Sequence, residues 1–292
     1  MPLSTKMVGA RTEALTHDVD ARWLMAYAAG LGDMNPRYLD THQRTPIAHP
    51  VFPVCLEWPV ILASRTLPGF DAATAAERAR GVHAAHDLHI YRPIRPGDRL
   101  TTQATVIGLE AIKPGAAQMT RLDTRDAAGT LIARTYQLGI SRGVAVVGEA
   151  TPLEVPPEPP HPDEAAGEAR EFSIDVPANA AHVYTECARI FNPIHTDRAI
   201  ALAAGLPDII LHGTATLALA VSRIVDGFLD GDGGRVRRLG GRFRAMVLMP
   251  STLRLSVRSA QSSTLFFDVA TGDGSAAISD GFVCFDSSRP ST

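Results

Sequence analysis

One segment of the sequence occurs twice, and this duplication constrains the fold more than any other feature. The segment "YAAGLGDMNPRYLD" starts at Tyr27 and "YTECARIFNPIHTD" starts at Tyr184, so the shared Tyr, Asn-Pro and Asp all lie 157 positions apart. Between the two copies, residues 149–171 are rich in proline and glutamate, a composition typical of an extended connector. The chain is therefore predicted to contain two similar units, residues 1–148 and 172–292, joined by this linker.

Length and composition agree with two soluble units. The 292 residues match about two domains of roughly 150 residues each, and the net charge of -3 gives no basic excess that would favour nucleic acid. Three widely spaced cysteines indicate neither a disulfide framework nor a thiolate metal site. Since the N-terminus has no apolar export signal and no run of 18 apolar residues occurs, we expect a cytoplasmic protein without a membrane partner.

Each half repeats one order of predicted elements. After the Asn-Pro motif comes an apolar stretch, and in the second half Leu217, Val221, Ile224 and Phe228 follow helical spacing, which predicts a largely buried helix. Strand-like runs follow in both halves, at residues 82–91, 99–109, 116–125 and 130–142, and at 235–245, 252–259, 263–270 and 276–285. A long helix packed on a curved antiparallel sheet, twice over, is an α+β architecture.

The motifs resemble a known family. The stretch "FNPIHTDRAIALAAGLPDIILHGTATLALA" is similar to the signature of the MaoC-like dehydratases, which include the (R)-specific or type-2 enoyl-CoA hydratases, while "GDMNPRYLD", "AHPVFP" and "RPIRPGDRL" resemble the degenerate first unit of that family. The resemblance spans nearly the whole chain. It implies a double hotdog, in which each unit wraps a sheet around one long helix, and in which the second unit carries the hydratase-like motif.

In this family the signature reads Asp, any residue, Asn, Pro, Ile or Leu, His, and the Asp and His act as acid and base. By resemblance His195 is the acid/base, Asn192 braces the loop, and Gly213 supplies a backbone N–H for the thioester oxygen. The position of the aspartate, however, holds Ile190. In the first half that position is Asp33, and a tyrosine occupies the position of the histidine.

Three explanations for the missing carboxylate stay open at this stage. Glu186 lies four residues before Ile190, so on a helix the two share a face and the glutamate reaches toward the same water. Alternatively Asp33 pairs across the two units with His195, although as a turn residue it would simply hydrogen-bond its own Asn-Pro loop. In the third explanation His195 works alone, or the protein no longer hydrates enoyl thioesters.

Other conspicuous side chains have simpler interpretations beside functional ones. His212 and His49 are expected to bond neighbouring loops, with His212 near the substrate, and Arg244 either lies on a solvent face or contacts the phosphates of coenzyme A. The three histidines of "GVHAAHDLHIY" are expected to alternate between strand faces, so no metal site is predicted. No cofactor is predicted either.

The resemblance therefore implies a hydratase or dehydratase, a lyase acting at the C2–C3 bond of an acyl thioester. We expect the substrate to be carried by coenzyme A or an acyl carrier protein, and the chain to form a homodimer. Two alternatives stay open: a repurposed hotdog enzyme, such as an isomerase or a dehydratase of a specialised metabolite, and a non-catalytic acyl-CoA or acyl-carrier binding protein.

Overall fold

A computed structural model describes residues 2–70, 74, 77, 80–149, 151–162, 167–259 and 263–287. Its helices are α1 (Ala21–Gly30), α2 (Pro36–Leu39), α3 (Pro53–Ser64), α4 (Ala180–Ala188), α5 (Arg198–Ala203) and α6 (Gly213–Phe228). Its strands are β1 (Leu3–Ser4), β2 (Leu15–Asp18), β3 (Gly81–Ile90), β4 (Arg99–Ile112), β5 (Gly115–Arg125), β6 (Leu131–Arg142), β7 (Val146–Val147), β8 (Arg170–Val176), β9 (Val236–Phe243), β10 (Ser251–Ser259), β11 (Thr264–Ala270) and β12 (Ala276–Phe285).

Ten of these strands form one continuous sheet in the order β2-β4-β5-β6-β3-β9-β12-β11-β10-β8. The first half contributes the five strands up to β3, the second half contributes the five from β9, and the two halves meet where β3 pairs antiparallel with β9. Buried residues of α3 and α6 share one hydrophobic core with Leu88, Leu239 and Ile278 of the sheet. We call the face that carries these three residues the inner face. The structure confirms the predicted α+β class.

The eight predicted strands correspond to β3–β6 and β9–β12, and the predicted buried helix is α6. The sequence reasoning missed β2 and β8, the outermost strands of the sheet. Strand β8 begins at Arg170, so the last two residues of the predicted linker belong to a strand. The domain limits at 148 and 171 stay a prediction.

Two equivalent tyrosines connect the halves beneath the sheet. Tyr27 of α1 and Tyr184 of α4 are fully buried, their hydroxyls lie 3.3 Å apart, and their ring centroids are separated by 5.8 Å. The helices approach so closely that a Cβ on Gly30 would lie 2.7 Å from the Cβ of Cys187, which requires glycine at this contact. The duplicated segments therefore pack against each other.

On the opposite face of the sheet, which we call the outer face, a charged pair connects β3 with β9. Arg238 of β9 donates two hydrogen bonds to Asp87 of β3, at 2.9 and 2.7 Å, and also donates to the carbonyl oxygens of Pro157 and Glu158 in the linker. Burial raises the pKa of Asp87, but the hydrogen bonds from Arg238 and His89 outweigh it and hold the pKa below its usual value. One guanidinium thus joins both halves and the connector.

We expect the substitution Arg238→Met to lower the free energy of unfolding by about 3 kcal/mol, because it leaves the largely buried Asp87 carboxylate without its cation. Urea denaturation at neutral pH measures the loss. The control is Arg258→Met, since Arg258 and Asp268 form a half-exposed pair at 3.6 Å that is expected to contribute less than about 1 kcal/mol. Equal losses of unfolding free energy in the two variants would contradict a stabilising role of the Arg238–Asp87 pair.

Candidate functional site

His195 lies at the end of a short 3-10 turn, Pro193–His195, that follows α4. Its Nδ1 is 2.8 Å from the carbonyl oxygen of Ile210. Because a carbonyl oxygen only accepts, Nδ1 carries the hydrogen and the neutral ring presents an unprotonated Nε2. Burial lowers the pKa of His195 to about 4, although the bond to Ile210 opposes this shift. At neutral pH the ring is therefore an uncharged base.

The ring of His195 stacks on His212, with centroids 3.6 Å apart and planes inclined by 25°. His212 precedes the first residue of α6, is buried, and has its Nε2 3.3 Å from the hydroxyl of Thr185 on α4. Burial lowers the pKa of His212 well below its ordinary value, the nearby His195 lowers it further, and the backbone of Ile190 opposes the shift. Two neutral imidazoles consequently lie side by side at the start of the long helix.

Gly213 is the first residue of α6, where the leading amides of a helix have no partner within the helix and the helix dipole favours negative charge. A Cβ on Gly213 would lie 3.0 to 3.3 Å from ring carbons of Phe243 on β9. A side chain at this position would therefore press against that ring, so glycine is favoured. The helix start thus combines a free backbone donor with an adjacent basic ring.

Ile190 makes the position of the expected carboxylate apolar. Its side chain is buried in the main hydrophobic core, and its backbone N–H donates to the carbonyl of Thr185 at 3.1 Å. The preceding Arg189 adopts the left-handed conformation with φ of 57°, and its guanidinium lies 4.0 Å from the ring centroid of Trp23. At the end of α4 an arginine therefore occupies a backbone position that glycine usually fills.

The side chain of Glu186 does not reach toward His195 as the helical spacing predicted. It lies on α4, as expected, but on the exposed side of that helix, whereas His195 is buried. No hydrogen bond between Glu186 and His195 forms among the described residues. The α4 face that Ile190 and Glu186 were expected to share breaks at Arg189, because the left-handed residue turns the chain away from the helical path.

Asn192 holds the loop through its backbone, and Arg244 lies on the solvent-exposed surface. The carbonyl oxygen of Asn192 accepts the backbone N–H of His195 at 3.1 Å, while its side chain forms no capping bond, so its visible bracing acts through the backbone. Arg244 is exposed and donates to the hydroxyl of Ser279 at 3.0 Å, with the carboxylate of Asp280 at 3.7 Å. Both interactions leave its guanidinium at the protein surface.

Asp33 bonds its own Asn-Pro loop, as one of the two interpretations predicted, and its side chain lies next to His49, not next to His195. One carboxylate oxygen accepts the N–H of Asn35 at 3.0 Å, as a turn residue does, and the other lies 4.0 Å from Nε2 of His49. That nitrogen is also 3.2 Å from the hydroxyl of Ser222 on α6. Asp33 and Ser222 line a cavity of about 340 Å³ between the halves.

His83 and His86 come together, contrary to the expectation that they would alternate between faces. A bulge in β3 between His83 and Ala85 shifts the alternation, so the two rings lie 5.3 Å apart. His83 also packs edge-on against Phe243, with centroids 4.7 Å apart. The sequence carried no signal for the bulge. In the part of the chain that the structure describes, no three His, Cys, Asp or Glu side chains group as a metal site.

The arrangement in the second half supports proton transfer next to a forming anion. Nε2 of His195 can take a proton from water or a hydroxyl group, and the amide of Gly213 can donate to an oxygen that becomes negative. Both groups meet at the start of α6 because His195 stacks on the residue before Gly213. Residues of both halves line the cavity beside Asp33, and neither His195 nor Gly213 is among them.

Comparison with known proteins assigns both halves to dehydratase-type domains. Residues 163–276 match the MaoC like domain, and residues 6–134 match the FAS1-like dehydratase domain region. The enoyl-CoA hydratase ChsH3 of Mycobacterium tuberculosis is 28% identical over 240 residues, which cover 80% of this chain and 79% of that protein.

Solved structures show the same fold. A MaoC-like dehydratase from Phytophthora capsici superposes with a TM-score of 0.83 at 21% identity, over 96% of each chain. A conserved hypothetical protein of Mycobacterium tuberculosis, described as a double hotdog, superposes with a TM-score of 0.63 at 17% identity, over 95% of each chain. The predicted double hotdog is confirmed. Within the described residues, no helix has the length and apolar character needed to span a membrane.

The lowered pKa of His195 predicts a stability change in acid. Below about pH 6.5 the unfolded chain binds a proton at this residue, whereas the folded chain stays neutral until about pH 4, so the folded state loses stability as the pH falls through that window. The variant His195→Gln removes this titration. The free energy of unfolding of the variant minus that of the parent is therefore expected to be about 2 kcal/mol larger at pH 5 than at pH 7.

Urea denaturation at both pH values measures the difference between the variant and the parent. The matched control is His42→Gln, which replaces an exposed histidine on the loop after α2. An identical pH dependence in the parent and in His195→Gln would show that His195 is not held neutral by burial.

Proposed function

The chain belongs to the MaoC-like double-hotdog dehydratases, and on that premise we propose that it adds water to, or removes it from, the C2–C3 bond of an acyl thioester. The matched domains and the relatives named as enoyl-CoA hydratase and MaoC-like dehydratase support this reaction class. The chemistry needs a proton carrier and a donor to the thioester oxygen. Both are available at the start of α6.

The observation that carries the proposal is the fixed tautomer of His195. Its hydrogen bond to Ile210 directs the N–H away from the site and leaves the lone pair of Nε2 for a water molecule. The stacked His212 places that ring beside Gly213, whose amide has no partner in the helix. A base and an oxyanion donor therefore lie within one short stretch of the structure.

In the hydration direction, Nε2 of His195 takes a proton from water while the water oxygen bonds to C3 of the enoyl thioester. The electron pair of the C2–C3 double bond moves toward the thioester oxygen, and the amide of Gly213 stabilises the negative charge that develops there. The protonated His195 then returns its proton to C2, which restores the neutral ring. Dehydration follows the same steps in reverse.

We propose that His195 performs both transfers alone. Ile190 supplies no proton, and Glu186 is exposed on the outside of α4. A second general acid or base typically contributes about 10²- to 10⁴-fold in rate, so this site should be slower by such a factor than one with two carriers. An uncharged site also suits an apolar or bulky acyl group near C3.

Coenzyme A is the thioester carrier that we propose, and Arg244 is the candidate contact for its phosphates. Arg244 and the neighbouring Arg242 are about half exposed, and both lie near the carboxylate of Asp280. An acyl carrier protein would present the same thioester on a phosphopantetheine arm. Comparing kcat/KM for the same acyl group on each carrier would identify the preferred one. We further propose that the chain forms a homodimer, as hotdog proteins commonly do.

The substitution His195→Ala should lower kcat/KM for crotonyl-CoA hydration by about 10²- to 10⁴-fold, because it removes the proposed proton carrier. The loss of the conjugated enoyl thioester absorbance measures the rate. Asp33→Asn is the matched control, since Asp33 contacts His49 and not His195, and it should leave the rate unchanged. A rate that depends on Asp33 and not on His195 would place the chemistry in the first half.

The substitution Ile190→Asp tests whether the missing carboxylate limits the reaction. We expect it to raise kcat/KM by about 10²-fold, because it restores a second proton carrier, whereas Ile190→Asn has a similar shape without a carboxylate and should not raise the rate. Should the parent be inactive and only Ile190→Asp hydrate crotonyl-CoA, the natural protein is not a hydratase. The repurposed enzyme or the acyl-binding protein would then be the better explanation.

A further inference from the structure

His86 is a buried polar side chain without a partner. It is 2% exposed, and among the described residues neither ring nitrogen finds a hydrogen-bond partner. Burial lowers its pKa to about 4, so the ring is neutral at physiological pH and offers one donor and one acceptor. Buried polar atoms of this kind are rare in folded proteins and call for an explanation, such as a ligand.

The register of the sheet places His86 on the inner face, next to the candidate site. His86 is two residues before Leu88 on β3, so both side chains lie on the same face of the sheet, and His86 pairs with Gly241 of β9. Its neighbour His83 packs against Phe243, and the same Phe243 ring covers Gly213. Phe243 therefore contacts both Gly213 and His83, and His83 in turn contacts His86.

Further polar groups of the first half point to the same inner face. The hydroxyl of Thr135 on β6, opposite Leu88, hydrogen-bonds the buried carboxyl of Glu57 on α3. On the neighbouring strand β5, the buried Oε1 of Gln118 has no partner among the described residues, while its Nε2 donates to the hydroxyl of Thr120 at 3.0 Å. The inner face of the first half therefore carries several buried polar groups, which surroundings suited only to a hydrocarbon chain would not favour.

We propose that the acyl group of the natural substrate carries an oxygen, as a hydroxyl or a keto group, and that His86 forms the hydrogen bond that recognises it. This inference rests on the proposed function and specifies its substrate class. His86 is a specificity residue in this proposal, because it contacts the acyl chain and takes no part in proton transfer at C2 or C3.

The expected preference for an oxygenated chain follows from the hydrogen bonds that His86 lacks when an unsubstituted acyl chain is bound. A hydrocarbon chain displaces water and leaves both ring nitrogens unpaired, whereas an oxygenated chain pairs one of them. The parent should therefore prefer an oxygenated 2-enoyl-CoA over the unsubstituted chain of equal length by about tenfold to a hundredfold in kcat/KM. Replacing His86 by leucine should remove this preference.

The experiment compares trans-2-decenoyl-CoA with decenoyl-CoA thioesters that carry a single hydroxyl or keto group at successive carbons beyond C4. The parent should prefer at least one oxygenated chain, His86→Leu should prefer the unsubstituted chain, and His86→Asn should retain part of the original preference. His89→Leu is the control, because His89 lies on the same strand near Asp87 of the outer face and should keep the parent preference.

A parent that prefers the unsubstituted chain over every oxygenated one would overturn the proposal, as would an oxygen preference that persists in His86→Leu. Calorimetric binding of the saturated decanoyl-CoA and its oxygenated forms measures the same preference without turnover. A parent that binds the oxygenated chains more tightly through His86, yet hydrates none of them, would reject the proposed function alone. A parent that binds none of these thioesters would reject both.

Discussion

The antiparallel pairing of β3 with β9 is the contact on which the rest of the molecule depends. It joins two five-strand units into one sheet, so that both long helices pack against a single inner face. It also brings residues of the first half to the candidate site of the second, because His83 reaches Phe243 across this junction. On the outer face, Asp87 and Arg238 add charged hydrogen bonds at the same place.

Much of this fold could be predicted from the sequence because its strongest signals are local. The duplicated Asn-Pro segment, the apolar spacing of α6 and the strand-like runs all depend on neighbouring residues. The edge strand β2 was missed because only four residues pair along one side, and β8 because it starts within a stretch of linker composition. The predicted convergence of Glu186 on His195 failed because it extended the helix past Arg189, where the chain turns.

The contacts of the polar residues could not be predicted for the same reason, because they depend on residues that are distant in the sequence. Sequence spacing separated His83 from His86, and only the bulge at Ala84 brings them together. The contact between Asp33 and His49 depends on how the loop after α1 meets the start of α3, and their link to Ser222 depends on packing against α6. Such contacts between distant parts of the chain carry no periodicity that a single sequence reveals.

The two halves differ in the groups that they place at equivalent positions. The residue after His212 is Gly213, which has a backbone N–H, whereas the residue after His49 is Pro50, which has none. The first half therefore has a buried carboxylate beside a histidine but no backbone N–H equivalent to the proposed oxyanion donor, while the second half has that N–H and the neutral imidazole that we propose as the base. A carboxylate at position 190 would raise the pKa of His195 by favouring its protonated form. With Ile190 in that place, burial dominates and the imidazole stays neutral, which is the state that a lone base requires.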